Sequence, residues 1–240
     1  MTPDKIITVK YTAQVSASII SANPTTDLSN PMWAINWFDL RKPWLYERYN
    51  QLAFGQLRQH GASPVFKGKL TSTLLKNDRL RRDMLLIVQH RNAQGFLDLL
   101  ASPFFQLKSK LRNASIKYFQ FGFMQKENEE DIVPHSLRYT GRLKYLVHVC
   151  ESRQELDLQS LLALAASFEI FPHFIGHRSA LLGFQKGRGQ LKTMDFILSH
   201  VFVFSGFDEH AIHAFVYSDE YQKFTQTCSS NFIGIYNRLI

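Results

Sequence analysis

An internal repeat is the feature that most constrains the fold, because a repeat has to be recognised before elements are assigned to it. Residues 95–106 align with residues 211–222 without a gap. Ser102 matches Ser218, and apolar residues recur at helical spacing in both segments. The chain is therefore predicted to contain two similar halves.

Two further matches occur in the same order along the chain. The pattern Pro-x-Phe-x-Gly occupies residues 64–68 and again residues 172–176, and the alternating apolar residues 33–37 are matched by residues 145–149. The offsets between the copies differ by a few residues, as loop insertions would cause. The preserved order favours two copies of one unit.

Each half is interpreted as strand, helix, strand, strand, helix, strand. Period-2 and continuous apolar runs predict the strands, which are 33–38, 64–73, 84–90 and 116–123 in the first half and 143–150, 170–177, 196–204 and 232–239 in the second. Pro43 suits the first turn of a helix that Gly61 can end. Asn92, Asp208 and a capping box at Ser152 predict three further helix starts.

This order predicts an α+β fold of two tandem ferredoxin-like βαββαβ units that form an internal pseudo-dimeric α/β barrel. Residues 1–30 are an N-terminal extension, 31–124 the first unit, 125–142 an acidic linker and 143–240 the second unit. A four-stranded sheet with helices on one face leaves an apolar face to be covered. Two similar sheets facing each other would cover both faces.

These residues resemble the dimeric α/β-barrel superfamily, and within it small bacterial domains of unknown function. Gly68 and Gly176 stand where such domains have a glycine in the second strand, and residues 102–106 and 218–222 resemble their Ser-x-x-Tyr-Gln turn. Members normally pair two chains, so the resemblance implies a fused version. It also implies a pocket between sheet and helices, since some relatives are cofactor-free monooxygenases and others bind haem.

Composition restricts the setting and the partners. The net charge of +8 permits an acidic partner but also suits a solubilising surface. The sequence contains no run of about 18 apolar residues, the length that a membrane-spanning helix needs. No membrane partner is therefore expected. Two cysteines are too few for a disulfide framework, which favours a reduced, cytoplasmic location.

Histidines supply the candidate catalytic residues, which are His148, His173 and His200 on predicted strands of the second half. His148 is aligned with Asn36 of the first half. His173 and His177 are four residues apart, which places them on one face of a regular strand. An imidazole cluster can serve as acid and base or hold a metal, but no metal-binding motif is present. No metal site is predicted, and the cofactor is unknown.

The candidate ligand-binding residues are His177, Cys150 and Phe202. Cys150 follows His148 by two positions, so both side chains share a strand face. Such a pair can support nucleophilic catalysis, whereas an inert buried thiol is commoner.

A basic first half offers a different interpretation. Its cations include Lys67, Lys69, Arg81 and Arg82, and residues 117–123 resemble a strand of an RNA-recognition domain. These aromatic residues would be buried in a barrel.

The sequence therefore favours a protein that binds a small, partly apolar ligand in a sheet–helix pocket of the second half. A cofactor-independent monooxygenase- or isomerase-like enzyme with a pocket histidine is the alternative. Nucleic-acid binding through the basic first half is a further alternative, and a homo-oligomer is compatible with the fold. The sequence leaves open whether the protein is an enzyme and what its ligand is.

Overall fold

The structure, a computed structural model, describes residues 7–11, 15–127, 143–186, 192–194 and 196–240. The strands are β1 (Ile7–Tyr11), β2 (Val15–Ser21), β3 (Met32–Leu40), β4 (Ala62–Leu75), β5 (Met84–His90), β6 (Ile116–Lys126), β7 (Lys144–Glu151), β8 (Phe171–Lys186), β9 (Lys192–Thr193), β10 (His200–Gly206) and β11 (Ser230–Arg238). The helices are α1 (Pro43–Gln59), α2 (Ala93–Ala101), α3 (Pro103–Ser115), α4 (Leu158–Ser167), α5 (Glu209–Val216) and α6 (Asp219–Gln226).

Eight strands form a closed antiparallel barrel in the order β8-β10-β7-β11-β4-β5-β3-β6, and β6 pairs with β8 to complete the circle. The two halves of the chain meet at two hydrogen-bonded seams, β11 with β4 and β6 with β8. Closure removes the strand edges on which further chains could pair.

The long strand β8 has several partners in succession. Its first part pairs with β10, its middle with β6, and its last residues with β2 and β9. Strand β2 carries β1 on its other side. The N-terminal residues are thus attached outside the barrel as an antiparallel pair.

Bulky aromatic side chains fill the barrel, and no helix contributes to this cluster. Trp37 is fully buried, 6.1 Å from Phe232 and 6.0 Å from Tyr236 between ring centroids. The indole Nε1–H donates to the Leu80 carbonyl oxygen at 2.6 Å. The Tyr236 hydroxyl donates to the Arg82 carbonyl oxygen at 2.8 Å. The polar atoms of both rings are therefore satisfied inside an apolar core.

The helices cover the outer face of the barrel. Helices α4, α5 and α6 pack over the second half, and α1 and α2 cover the first half. Strand β5 shows why its sequence is continuously apolar. Leu85 and Ile87 point into the barrel while Leu86 and Val88 face the helices, so both faces of the strand are buried.

The prediction of two tandem ferredoxin-like βαββαβ units was wrong. The strands of both halves belong to one closed eight-stranded barrel with additional strands outside it. Each half also places two helices, rather than one, before its last strand. In the first half the break falls at Ser102, whose extended backbone (ψ 121°) is the conformation that the following Pro103 requires.

Several local predictions were confirmed. Strand β5 has the predicted bounds, Asn92 caps α2 through Gly95 N–H, and Asp208 caps α5. Gly61 follows α1 with a φ of +68°, the left-handed conformation that favours glycine.

Other local predictions failed. The predicted capping box at Ser152 is not used, because α4 begins only at Leu158, where the Asp157 side chain accepts from Ser160 N–H. Helix α3 was not predicted. Most of the predicted linker, residues 128–142, lies outside the described residues, so the linker stays a prediction.

No helix among the described residues is long and apolar enough to cross a membrane.

Replacing Trp37 with alanine should lower the free energy of unfolding by about 3–5 kcal/mol, because the barrel core cannot refill the space of a buried indole. Urea denaturation followed by circular dichroism measures this loss. Trp44→Ala is the matched control, since Trp44 is 70% exposed, and should change the value by less than about 0.5 kcal/mol. Similar losses for both variants would contradict the assigned core.

Candidate active site and ligand cavity

His148 lies at the centre of a hydrogen-bonded network on the helix-facing side of β7, and it is completely buried. Its Nδ1 is 2.9 Å from the Tyr221 hydroxyl, and its Nε2 is 2.8 Å from Asn231 Oδ1. Asn231 Nδ2 donates to the Thr225 carbonyl, so Oδ1 accepts and the imidazole proton is on Nε2. Burial lowers the pKa of His148 to about 4. Both of its ring nitrogens are committed to neighbouring side chains.

His200 and its neighbours lie beside this network. His200 is directly opposite Cys150 on β7 and His177 on β8, and its ring stacks on Phe202 at 6.0 Å between centroids. Its Nδ1 is 3.0 Å from Ser199 Oγ, and burial lowers its pKa to about 4. His177 contacts the Glu127 carboxylate. The structure thus brings five of the six predicted site residues together.

His173 is the exception, because a β-bulge interrupts the register of β8 beside it. Its ring lies 5.7 Å from Phe66 and 5.6 Å from Tyr145, both members of the barrel core. A bulge changes the alternation of side chains, so His173 does not share a face with His177. The assumption of a regular strand was therefore wrong at this point.

Cys150 has a cysteine neighbour rather than an activating base. Its thiol is hydrogen-bonded to Cys228, and this contact together with burial raises its pKa. A nucleophilic cysteine requires the opposite, a lowered pKa. Among the described residues no three histidine, cysteine or acidic side chains are grouped so that they could hold a metal ion.

A cavity of about 120 Å³ lies over the first half, between the outer face of the barrel and the three helices α1, α2 and α3, and Leu182, Phe184 and Met194 of the second half complete its lining. Most of its walls are apolar. Its polar lining residues are Asn36, Tyr49, Asn50, His90 and Arg112. Sequence reasoning placed the pocket between sheet and helices, but in the other half of the chain.

Side-chain size explains why the cavity occurs in this half. In the first half Ala34 is opposite Val88 and Asn36 is opposite Leu86. The equivalent pairs of the second half are Leu146 with Phe204 and His148 with Phe202. Each of these four first-half side chains is smaller than the second-half side chain at the equivalent position. The covering helix residue is an aromatic ring in both cases, Phe105 and Tyr221, so the smaller strand residues leave space beneath the helices of the first half.

His90 contributes an imidazole to the wall of the cavity. The side chain is 2% exposed, and its ring meets Phe96 edge-to-face at 4.9 Å. Its Nδ1 has no hydrogen-bond partner among the described residues. Burial lowers the pKa of His90 to about 4, so the ring is neutral near pH 7. An unpaired polar atom in this position costs free energy unless a bound molecule satisfies it.

Arg112 contributes a cation to the same cavity. Its guanidinium lies 5.3 Å from the centroid of the Phe119 ring and is hydrogen-bonded to Tyr49. Burial raises the pKa of the Tyr49 phenol, so this partner stays neutral.

His90 and Arg112 were both missed from the sequence as residues of a ligand cavity. The signal that could have found the cavity was the alignment of small first-half residues with large ones such as His148.

Two aromatic residues of the basic first half are not available to nucleic acid. Phe121 and Phe123 are buried, and Phe96 stacks on Phe121 at 5.3 Å. Stacking on bases requires exposed rings.

The sequence matches no family model and no curated protein. An anthrone oxidase-like protein of known structure is similar with a TM-score of 0.48 and 14% identity, over 92% of this chain and 94% of that one. A proposed monooxygenase from Lactobacillus acidophilus is similar with a TM-score of 0.47 and 11% identity, over 87% of this chain and 94% of that one. A haem-binding protein from Thermus thermophilus is similar with a TM-score of 0.41 and 9% identity, over 92% of this chain and 93% of that one. Such values carry neither fold nor activity to this chain.

The buried His148 should make the protein less stable in acid. An unfolded histidine titrates near pH 6.5, whereas His148 in the folded protein titrates near pH 4. Between these values the unfolded state binds more protons, so the free energy of unfolding falls as the pH falls. The slope due to this residue should approach about 1.4 kcal/mol per pH unit near pH 5. His148→Asn should remove it in urea titrations at pH 7, 6 and 5.

Tyr221→Phe is the control for this experiment. It removes a hydroxyl that contacts the imidazole but keeps the imidazole buried, so stability should fall while the pH slope is retained. Equal slopes in the wild type and His148→Asn would show that His148 is not the titrating group.

Proposed function

We propose that the protein binds a small, partly apolar ligand in the cavity of the first half. The observation that carries this proposal is Nδ1 of His90, which has no hydrogen-bond partner among the described residues and is buried in the wall of a mostly apolar cavity. Buried polar atoms are almost always hydrogen-bonded in folded proteins. A ligand with a hydroxyl group could satisfy Nδ1 in either tautomer, because a hydroxyl both donates and accepts.

The size of the cavity limits the ligand. Apolar cavities of comparable volume bind a single benzene-sized ring, and the cavity here holds about 120 Å³. Phe96, Phe105 and Phe121 offer ring faces and edges to such a molecule. Aromatic pairs add about 0.5–1.5 kcal/mol beyond the burial of area. A one-ring or short-chain molecule therefore suits the walls.

The second half offers less to a ligand. At the position equivalent to the cavity, His148, Phe202 and Tyr221 are all fully buried, and both aromatic rings pack against the imidazole of His148. The role given to His148, His173 and His200 from the sequence, and to His177, Cys150 and Phe202, remains a hypothesis. The proposal for the first half does not depend on it.

An enzyme that moves a proton within this cavity is the second candidate. The observation that favours it is the position of His90 Nδ1, which is buried in the cavity wall without a partner among the described residues. Burial lowers the pKa of His90 to about 4, so the imidazole is neutral near pH 7 and can accept a proton, as a weaker base than an exposed histidine. His90 would then act as the pocket histidine of the isomerase- or monooxygenase-like alternative. His90→Gln should retain ligand binding and abolish turnover of any substrate found for the site.

Binding of 4-ethylphenol tests the proposed function, since it has one ring and one hydroxyl. The wild type should show saturable binding in ligand-observed NMR. The double variant Ala34→Leu/Leu86→Phe introduces the residues found at the equivalent second-half positions, Leu146 and Phe202, and should fill the cavity. Its binding should fall by about tenfold or more, because a filled cavity excludes the ring.

Leu75→Phe is the matched control, because it makes one of the same changes at an exposed position and should leave binding intact. Circular dichroism and urea denaturation establish that the double variant is folded. No saturable binding to the wild type, or equal binding to the wild type and the folded double variant, would refute a ligand site in this cavity.

A further inference from the structure

We propose that the ligand of the first-half cavity is an amphipathic monoanion, whose carboxylate pairs with Arg112 and whose apolar body extends towards His90. This inference rests on the proposed function and adds the chemical class of the ligand. It follows from the charges and polar atoms at the two ends of the cavity and from the apolar wall between them.

The charged end is Arg112, which has no anionic partner among the described side chains. None of the ion pairs among the described residues includes Arg112. Its side-chain partners are Asn113 Oδ1, at 3.3 Å from both Nε and Nη2, and the Tyr49 hydroxyl. Both partners are neutral, whereas a guanidinium has five N–H donors in a fork that matches a carboxylate. A half-buried cation of this kind favours an anionic ligand.

The neutral end is His90, which lies beyond the apolar wall. His90 follows Leu86 by four residues on β5, and a strand rises about 3.3 Å per residue, so the wall is about 13 Å long. Arg112 lies beside Phe119, close to the Leu86 end, because Phe119 and Leu86 both pack on the cluster that contains Phe38. Val88, Phe96 and Leu99 line the space between. A molecule that spans it needs an apolar middle.

The number of charges follows from the same residues. Arg112 is the single lysine or arginine in the described lining of the cavity. His90 does not add a second charge, since the ring is neutral near pH 7. A guanidinium pairs bidentately with one carboxylate, so one cation suits one negative charge. A neutral hydroxyl or carbonyl at the far end then satisfies His90 Nδ1.

The test compares 3-(4-hydroxyphenyl)propanoate with its amide, 3-(4-hydroxyphenyl)propanamide, by isothermal titration calorimetry at pH 7. The two molecules differ in charge but hardly in shape. The wild type should bind the carboxylate at least about tenfold more tightly, as a charge-assisted pair implies. Arg112→Gln should remove this preference by weakening the carboxylate alone, and Arg112→Lys should restore part of it.

Lys110→Gln is the matched control, because Lys110 is an exposed cation two residues away on α3. This variant should keep the preference for the carboxylate over the amide. That result would exclude a general effect of the protein's net charge. Equal affinities for carboxylate and amide in the wild type, or a preference that survives in Arg112→Gln, would overturn the assignment of the anionic group. Because 4-ethylphenol carries no charge, its binding to the wild type would still support the cavity itself in that case.

Discussion

Closure of the barrel is the constraint on which the remaining structure depends. The seam of β6 with β8 and that of β4 with β11 pair the outermost strands of the two halves, so neither half has a free edge within the barrel. Once the circle is closed, the inner face is lined by the side chains of all eight strands. The rings of Trp37, Phe66 and Tyr236 are buried there among aliphatic side chains. The ligand cavity described above lies outside the barrel, where the helices cover the strands.

The two halves use that outer layer differently. In the second half, large residues on the strands meet the helices directly, and the polar atoms of His148 are all paired within the protein. In the first half, Ala34, Asn36 and Leu86 leave space, Arg112 lines it with a cation, and His90 Nδ1 has no hydrogen-bond partner among the described residues. The same backbone arrangement thus supports a packed layer on one side and a cavity on the other. The smaller side chains at the paired positions of the first half contribute to this difference.

The local predictions were reliable where a pattern depends on neighbouring residues in the chain. The continuous apolar run of β5 and the caps Asn92 and Asp208 are of this kind. Helix α3 was missed because few of its apolar residues are buried: Phe105 faces the barrel, whereas Phe104 and Leu107 are exposed. Its apolar residues therefore do not form the clear core-facing stripe that identifies a helix in a sequence. The bulge that separates His173 from His177 has no sequence signal of comparable strength.

The sequence by itself determined most of the strands, several helix ends, the repeated order of elements and the expectation of a sheet–helix pocket. Only the tertiary structure decided that the halves share one closed barrel, and that the pocket lies beside His90 and Arg112 rather than beside His148. The physical reason is that hydrogen bonds between strands and the filling of space depend on residues far apart in the chain. A histidine is visible in a sequence, but the volume left by a smaller residue opposite it is not.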